Sequence, residues 1–161
     1  MTLRNNDFLY QPLNVAERQI RFLTLQPGRL YDEIVCNRYI VSLDQNPTYE
    51  ALSYVWGDPS ITQSIQVDGK PFDITLNLVA ALRRLRYPNN NRRLWVDAIC
   101  INQGDLDERS SQVAIMRRIY EQAERAILWV GDDFDNPLKK VDDFPNSKSA
   151  PHPSLNATFF S

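Results

Sequence analysis

Residues 94–113, LWVDAICINQGDLDERSSQV, decide how this chain is read. An apolar run continues on both sides of Asp97, from Leu94 to Val96 and from Ala98 to Ile101, and then gives way to a carboxylate-rich turn. A strand buried on both faces does not carry a bare charge, because desolvating a carboxylate without a partner costs several kcal/mol. The reading leaves two alternatives open: Asp97 is paired inside the core, or it opens onto a cleft. On either account Arg93 to Ile101 is predicted to be a strand and residues 110–123 a helix, with Val113, Met116, Ile119, Tyr120 and Ala123 on its inward face. Residues 125–132, RAILWVGD, are predicted to be the next strand.

The segments before this series extend the pattern. Residues 49–58, YEALSYVWGD, alternate Leu52, Tyr54 and Trp56 against Ala51, Ser53 and Val55, and Gly57 ends the run. Residues 75–88 repeat Leu78, Ala81, Leu82 and Leu85 at helical spacing, with Thr75 as the cap and Pro88 as the stop. Between them, Asp68-Gly69 separates Ile65/Val67 from Phe72/Ile74, the pattern of a tight hairpin. Residues 19–28 and 33–43 form an expected antiparallel pair. Strand, helix, strand, helix, strand in series predicts an α/β domain with a parallel sheet flanked by helices, an N-terminal antiparallel pair and an inserted β-hairpin.

Composition narrows the function classes. With 161 residues, 43% hydrophobic and 11% aromatic, the chain suffices for one globular domain. A net charge of −2 gives no basic field for nucleic acid, and the arginines at 83, 84, 86, 92 and 93 read as helix-end and loop charges. No stretch has the length of a membrane span or the make-up of a signal peptide, so a soluble cytoplasmic protein is expected. Cys36 and Cys100 lie in apolar strand-like runs without metal-ligand spacing, and read as buried thiols. The lone histidine, His152, sits in a Pro- and Ser-rich stretch, which argues against His-based nucleophilic catalysis. The five glycines have no dinucleotide or phosphate-loop spacing, and no metal site or cofactor is assigned.

Ligands of open α/β sheets gather outside the carboxyl ends of the strands. Here that rule draws together Ser53, Tyr54, Trp56, Gly57 and Asp58 with Asp97, Asn102, Gln103, Asp105 and Glu108. Each has a plain structural reading beside the functional one. Asp105 and Glu108 have the spacing of a capping box, in which Glu108 reaches back to the cap's own N–H. On that account Glu108→Gln is expected to leave folding nearly intact. Asn102 and Gln103 suit a turn as well as a ligand, and Trp56, Trp95 and Trp129 suit sheet packing as well as stacking.

The blocks YEALSYVWGD, LWVDAICINQ followed by DERSSQV, MRRIY and AILWVGD, in this order, resemble the fungal heterokaryon incompatibility (HET) domain family. The resemblance covers about residues 8–133, since YQPLN, IRFLTLQPG and VSLD are similar to the family's lead-in. It implies a domain over residues 1–133 acting in non-self recognition and programmed cell death, with other incompatibility or cell-death proteins, or a second copy, as partners. The family also resembles, distantly, the TIR domains, some of which cleave NAD. That likeness makes NAD a candidate substrate and Glu108 and Asp97 the candidate catalytic carboxylates. The glutamate-bearing helix that NAD-cleaving TIR domains carry later in the chain has no counterpart in residues 132–161, which contain no glutamate. Four prolines, at 137, 145, 151 and 153, mark residues 134–161 as an expected tail outside the packed core, in a chain that looks cut short relative to the family.

Overall fold

The computed structural model describes residues 10–131. Seven strands form one mixed sheet: β1 (Gln19–Leu25), β2 (Val35–Ser42), β3 (Glu50–Tyr54), β4 (Thr62–Val67), β5 (Lys70–Thr75), β6 (Arg92–Trp95) and β7 (Arg125–Trp129). Among the described residues three α-helices accompany them: α1 (Leu76–Leu85), the single turn α2 (Asp97–Cys100) and α3 (Leu106–Gln122). The spatial order is β5-β4-β2-β1-β6-β3-β7. As the helical connections require, β6, β3 and β7 run parallel. The antiparallel pair β1/β2 and the β4/β5 hairpin do not stand apart from that sheet. β1 joins β6 antiparallel and β2 joins β4 parallel, so both expected additions extend it on one side.

The local signals explain the elements. In α1 the predicted stripe of Leu78, Ala81, Leu82 and Leu85 is buried, and the helix lies against β3, β4 and β5. The Thr75 hydroxyl accepts from the Leu78 N–H, and the helix ends ahead of Pro88, whose ring disfavours helical backbone in Tyr87. Asp68 and Gly69 both adopt positive φ, at 53° and 75°, as the tight hairpin turn demands. An added Cβ at Gly69 meets no atom within 4 Å, so any penalty there is purely a matter of backbone conformation. Gly69→Ala is therefore expected to cost about 1 kcal/mol, read as a drop of a few degrees in Tm. An unchanged Tm would show that the turn relaxes to another geometry.

Three expectations need correction. The strand predicted for Arg93 to Ile101 stops at Trp95, and Asp97–Cys100 coil into α2. The Val96 carbonyl accepts from both Ile99 N and Cys100 N, at 3.2 and 2.8 Å, which closes the turn. Ile99, Cys100 and Ile101 are buried all the same, because a short turn packed under a sheet hides its apolar residues as thoroughly as a strand does. On α3, Met116, Ile119, Tyr120 and Ala123 face the core as expected, but Val113 does not. Gln112 is buried and donates its amide to the Gln19 carbonyl at 2.9 Å, while Val113 is 37% exposed. Finally, Arg86 and Arg92 are not peripheral charges. Arg86 is buried and donates to the carbonyls of Arg29, Asp32 and Glu33. Arg92 pairs with Glu50 at 2.5 Å and donates to the Leu85 carbonyl at 2.8 Å, locking the end of α1 to the centre of the sheet.

Candidate functional site

The carboxyl ends of β3 and β6 carry the first group of side chains. α2 leaves β6 so that Asp97 faces Tyr54 of β3 and Tyr120 of α3, and its charge pushes both phenols upward in addition to their burial. Asp97 is half-buried, and its Oδ1 accepts from the Ala98 N–H at 2.8 Å. Among the described residues no basic side chain pairs with it. Burial, only partly offset by backbone N–H donors, pushes its carboxyl up to about 6. The Tyr120 hydroxyl donates to the Leu52 carbonyl at 3.4 Å. Trp56 lies nearly parallel to Tyr54, with ring centroids 6.3 Å apart and planes 8° apart. Trp95 is fully buried and meets Tyr120 edge-on at 5.5 Å, so it anchors the sheet.

The loops around this group hold it by backbone chemistry. Gln103 donates its side-chain amide to the Asp97 carbonyl at 3.0 Å and so ties the loop to α2. The Asn102 side chain accepts from Gly104 N at 3.2 Å, a local turn. Asp105 caps α3 by accepting from Asp107 N and Glu108 N at 3.1 and 3.0 Å. Gly57 turns the chain after β3 at φ 71°, beside Asn77, whose amide donates to the Val55 carbonyl at 2.6 Å. Asp58 is exposed and accepts from both the N–H and the hydroxyl of Ser60, which hold its carboxyl below the usual range.

Glu108 belongs to a second group. Its carboxylate forms a forked pair with the Arg21 guanidinium, at 2.5 and 3.1 Å, and also accepts from Asn102 N at 2.8 Å. The side chains of Arg21 and Glu108 are 2% and 8% exposed. Arg21 also donates to the carbonyls of Cys100 and Gln11, and its guanidinium stands 4.8 Å from the Tyr10 ring centre. Tyr10 in turn donates to the Ile99 carbonyl at 2.9 Å. The capping box is thus half formed: Asp105 caps, but Glu108 turns inward to Arg21 and does not reach the cap's N–H. The expectation that Glu108→Gln leaves folding nearly intact falls with it, because glutamine leaves a buried guanidinium without its counter-charge.

Sequence reasoning passed over Arg21 and Tyr10 and read Tyr120 only as an inward-facing residue of α3. Arg21 had a signal: strand alternation puts it on the same face as Leu23 and Leu25, where a charge demands a buried partner. A hollow of about 330 Å³ lies beside that pair, lined in part by Gln11, Arg21, Arg38, Asp68 and Lys70, and includes neither Asp97 nor Trp56. Among the described residues no group of three or more His, Cys, Asp or Glu is placed to hold a metal ion. Both cysteines are buried free thiols, pushed up to about 12 by burial. No helix among the described residues is long and apolar enough to cross a membrane.

A mixed α/β domain with its polar residues gathered at parallel strand ends defines a class that many functions share. Comparison with known proteins narrows it: residues 49–158 match the family model described as heterokaryon incompatibility protein (HET), and the chain belongs to that family. It is 37% identical over 153 residues to heterokaryon incompatibility protein 6, OR allele, of Neurospora crassa, covering 85% of this chain and 22% of that relative. The chain thus spans about a fifth of the relative's length. No solved structure matches it. The boundary expected at residue 133 and the tail beyond it lie outside the described residues.

Proposed function

We propose that this chain acts in heterokaryon incompatibility, as a cytoplasmic module that takes part in non-self recognition and the cell-death response by assembling with other incompatibility or cell-death proteins or with its own copy. Family membership and the name of the Neurospora crassa relative support the biological role. The observation that carries the module reading is the engagement of Glu108. A carboxylate that is 8% exposed and accepts three hydrogen bonds, two from a buried guanidinium and one from a backbone N–H, serves as a structural tie.

A second reading is favoured by Asp97. A half-buried carboxyl with no basic partner among the described residues, beside the stacked Tyr54 and Trp56, has the make-up of a site for a sugar with an aromatic base. By distant TIR likeness this is NAD cleavage, with Asp97 stabilising an oxocarbenium-like ribose. In that reading Ser53, Tyr54, Trp56, Gly57, Asp58, Asn102, Gln103 and Asp105 line the site. Incubating the purified chain with NAD and following nicotinamide release separates the two. The module reading expects no release above a protein-free blank. Release that disappears in Asp97→Asn would replace it with the enzyme.

A further inference from the structure

We propose that β7 is a docking edge at which a second copy of this chain adds its own β7 antiparallel, about a two-fold axis through Leu128. The inference deepens the module reading by naming its surface and partner, and its readout is association, separate from nicotinamide release. The two outer strands of the sheet are built differently. β5 carries Lys70, Pro71 and Asp73, all exposed. A missing N–H and charges of both signs are the devices that blunt an edge against further pairing. β7 reads Arg125-Ala126-Ile127-Leu128-Trp129 and runs on into Val130, with no proline and no charge after Arg125. Among the described residues it pairs only with β3. On one face Leu128 and Val130, 43% and 65% exposed, join Val55, the residue after β3, 53% exposed, in an apolar strip open to solvent.

Strand periodicity and charge select the register. A two-fold axis perpendicular to the sheet keeps each face on its own side, so opposed residues must differ by an even number. Centring on Leu128 opposes Leu128 to its copy, Ala126 to Val130, and Ile127 to Trp129, which makes the exposed strip continuous across both copies. A parallel pairing stacks Arg125 on its copy at the strand spacing of about 4.8 Å. Such a pairing also turns one copy over, so that its exposed strip does not continue the other's. The antiparallel pairing carries each Arg125 past the partner's Val130, roughly 20 Å from its copy. An edge this short gives a weak, concentration-dependent dimer.

Sedimentation of the whole chain over a concentration series tests the surface. The wild type is expected to shift from monomer to dimer as concentration rises. Leu128→Lys and Leu128→Glu, at an exposed position, are each expected to stay monomeric. Mixing the two is expected to restore a dimer, since among antiparallel registers only this one opposes position 128 to itself. Either variant dimerising alone would overturn the proposal. So would a wild type that stays monomeric throughout; slow amide exchange along β7 in that monomer would assign the edge to residues 132–161.

Discussion

Arg21→Met is expected to lower folding stability by about 3–5 kcal/mol at neutral pH. The methionine replaces much of the arginine stem but leaves the Glu108 carboxylate, 8% exposed, with only the Asn102 N–H as a donor. The Cys100 and Gln11 carbonyls lose their guanidinium donor as well. Glu108→Gln is expected to cost nearly as much, since it leaves Arg21 charged at 2% exposure. The double variant is expected to recover most of the loss, because removing both charges also removes the desolvation penalty. Urea unfolding of the four proteins at pH 7 gives the coupling directly. Single variants within about 1 kcal/mol of wild type would mean that the pair is solvated and that Glu108 is free for another role. A double variant that regains stability and keeps the incompatibility phenotype would fix Glu108 as structural.

The same pair marks where sequence reading succeeds and where it stops. Signals confined to a few adjacent residues carried through to the structure: the Asp68-Gly69 turn, the α1 stripe ending ahead of Pro88 and the Asp105 cap. Each rests on backbone conformation or on one face of one element. The partner of Arg21 lies 87 positions away, and no local pattern points to Glu108 rather than to another acid. Spacing even favoured the wrong partner, since a glutamate three residues after a cap ordinarily reaches back to it. The α2 turn was hidden for a different reason. Residues 98–101 are apolar enough to be buried in any conformation, and a run that short has no period to measure. In α3 the inward place belongs to an amide, Gln112, because a sheet-facing carbonyl at Gln19 needed a donor, and hydrophobicity alone assigned that place to Val113.

Asp97→Asn is expected to stabilise the folded protein, by up to roughly 3 kcal/mol well above pH 6 and by nothing well below pH 3.8. The sign follows from the carboxyl's displacement from its ordinary 3.8 to about 6. Below the lower value the group is protonated in the folded and unfolded chains alike, and the variant gains nothing. Between the two values the unfolded chain has released its proton while the folded chain still holds one, so wild-type stability falls as pH rises. Above the upper value the penalty of an ionised, half-buried carboxylate is complete. Asparagine removes that penalty and keeps an oxygen to accept from the Ala98 N–H, so the backbone turn survives. Urea midpoints of both proteins between about pH 4 and 8 should diverge through this window and then run parallel. A pH-independent difference would mean that the carboxylate has a partner or ready access to water. A carboxylate shown by this experiment to weaken the fold at neutral pH would call for a task other than stability. If Asp97→Asn abolishes the incompatibility response while raising stability, the strand-end group is the working site. If the response persists in the stabilised protein, the work falls to surfaces elsewhere, β7 first among them.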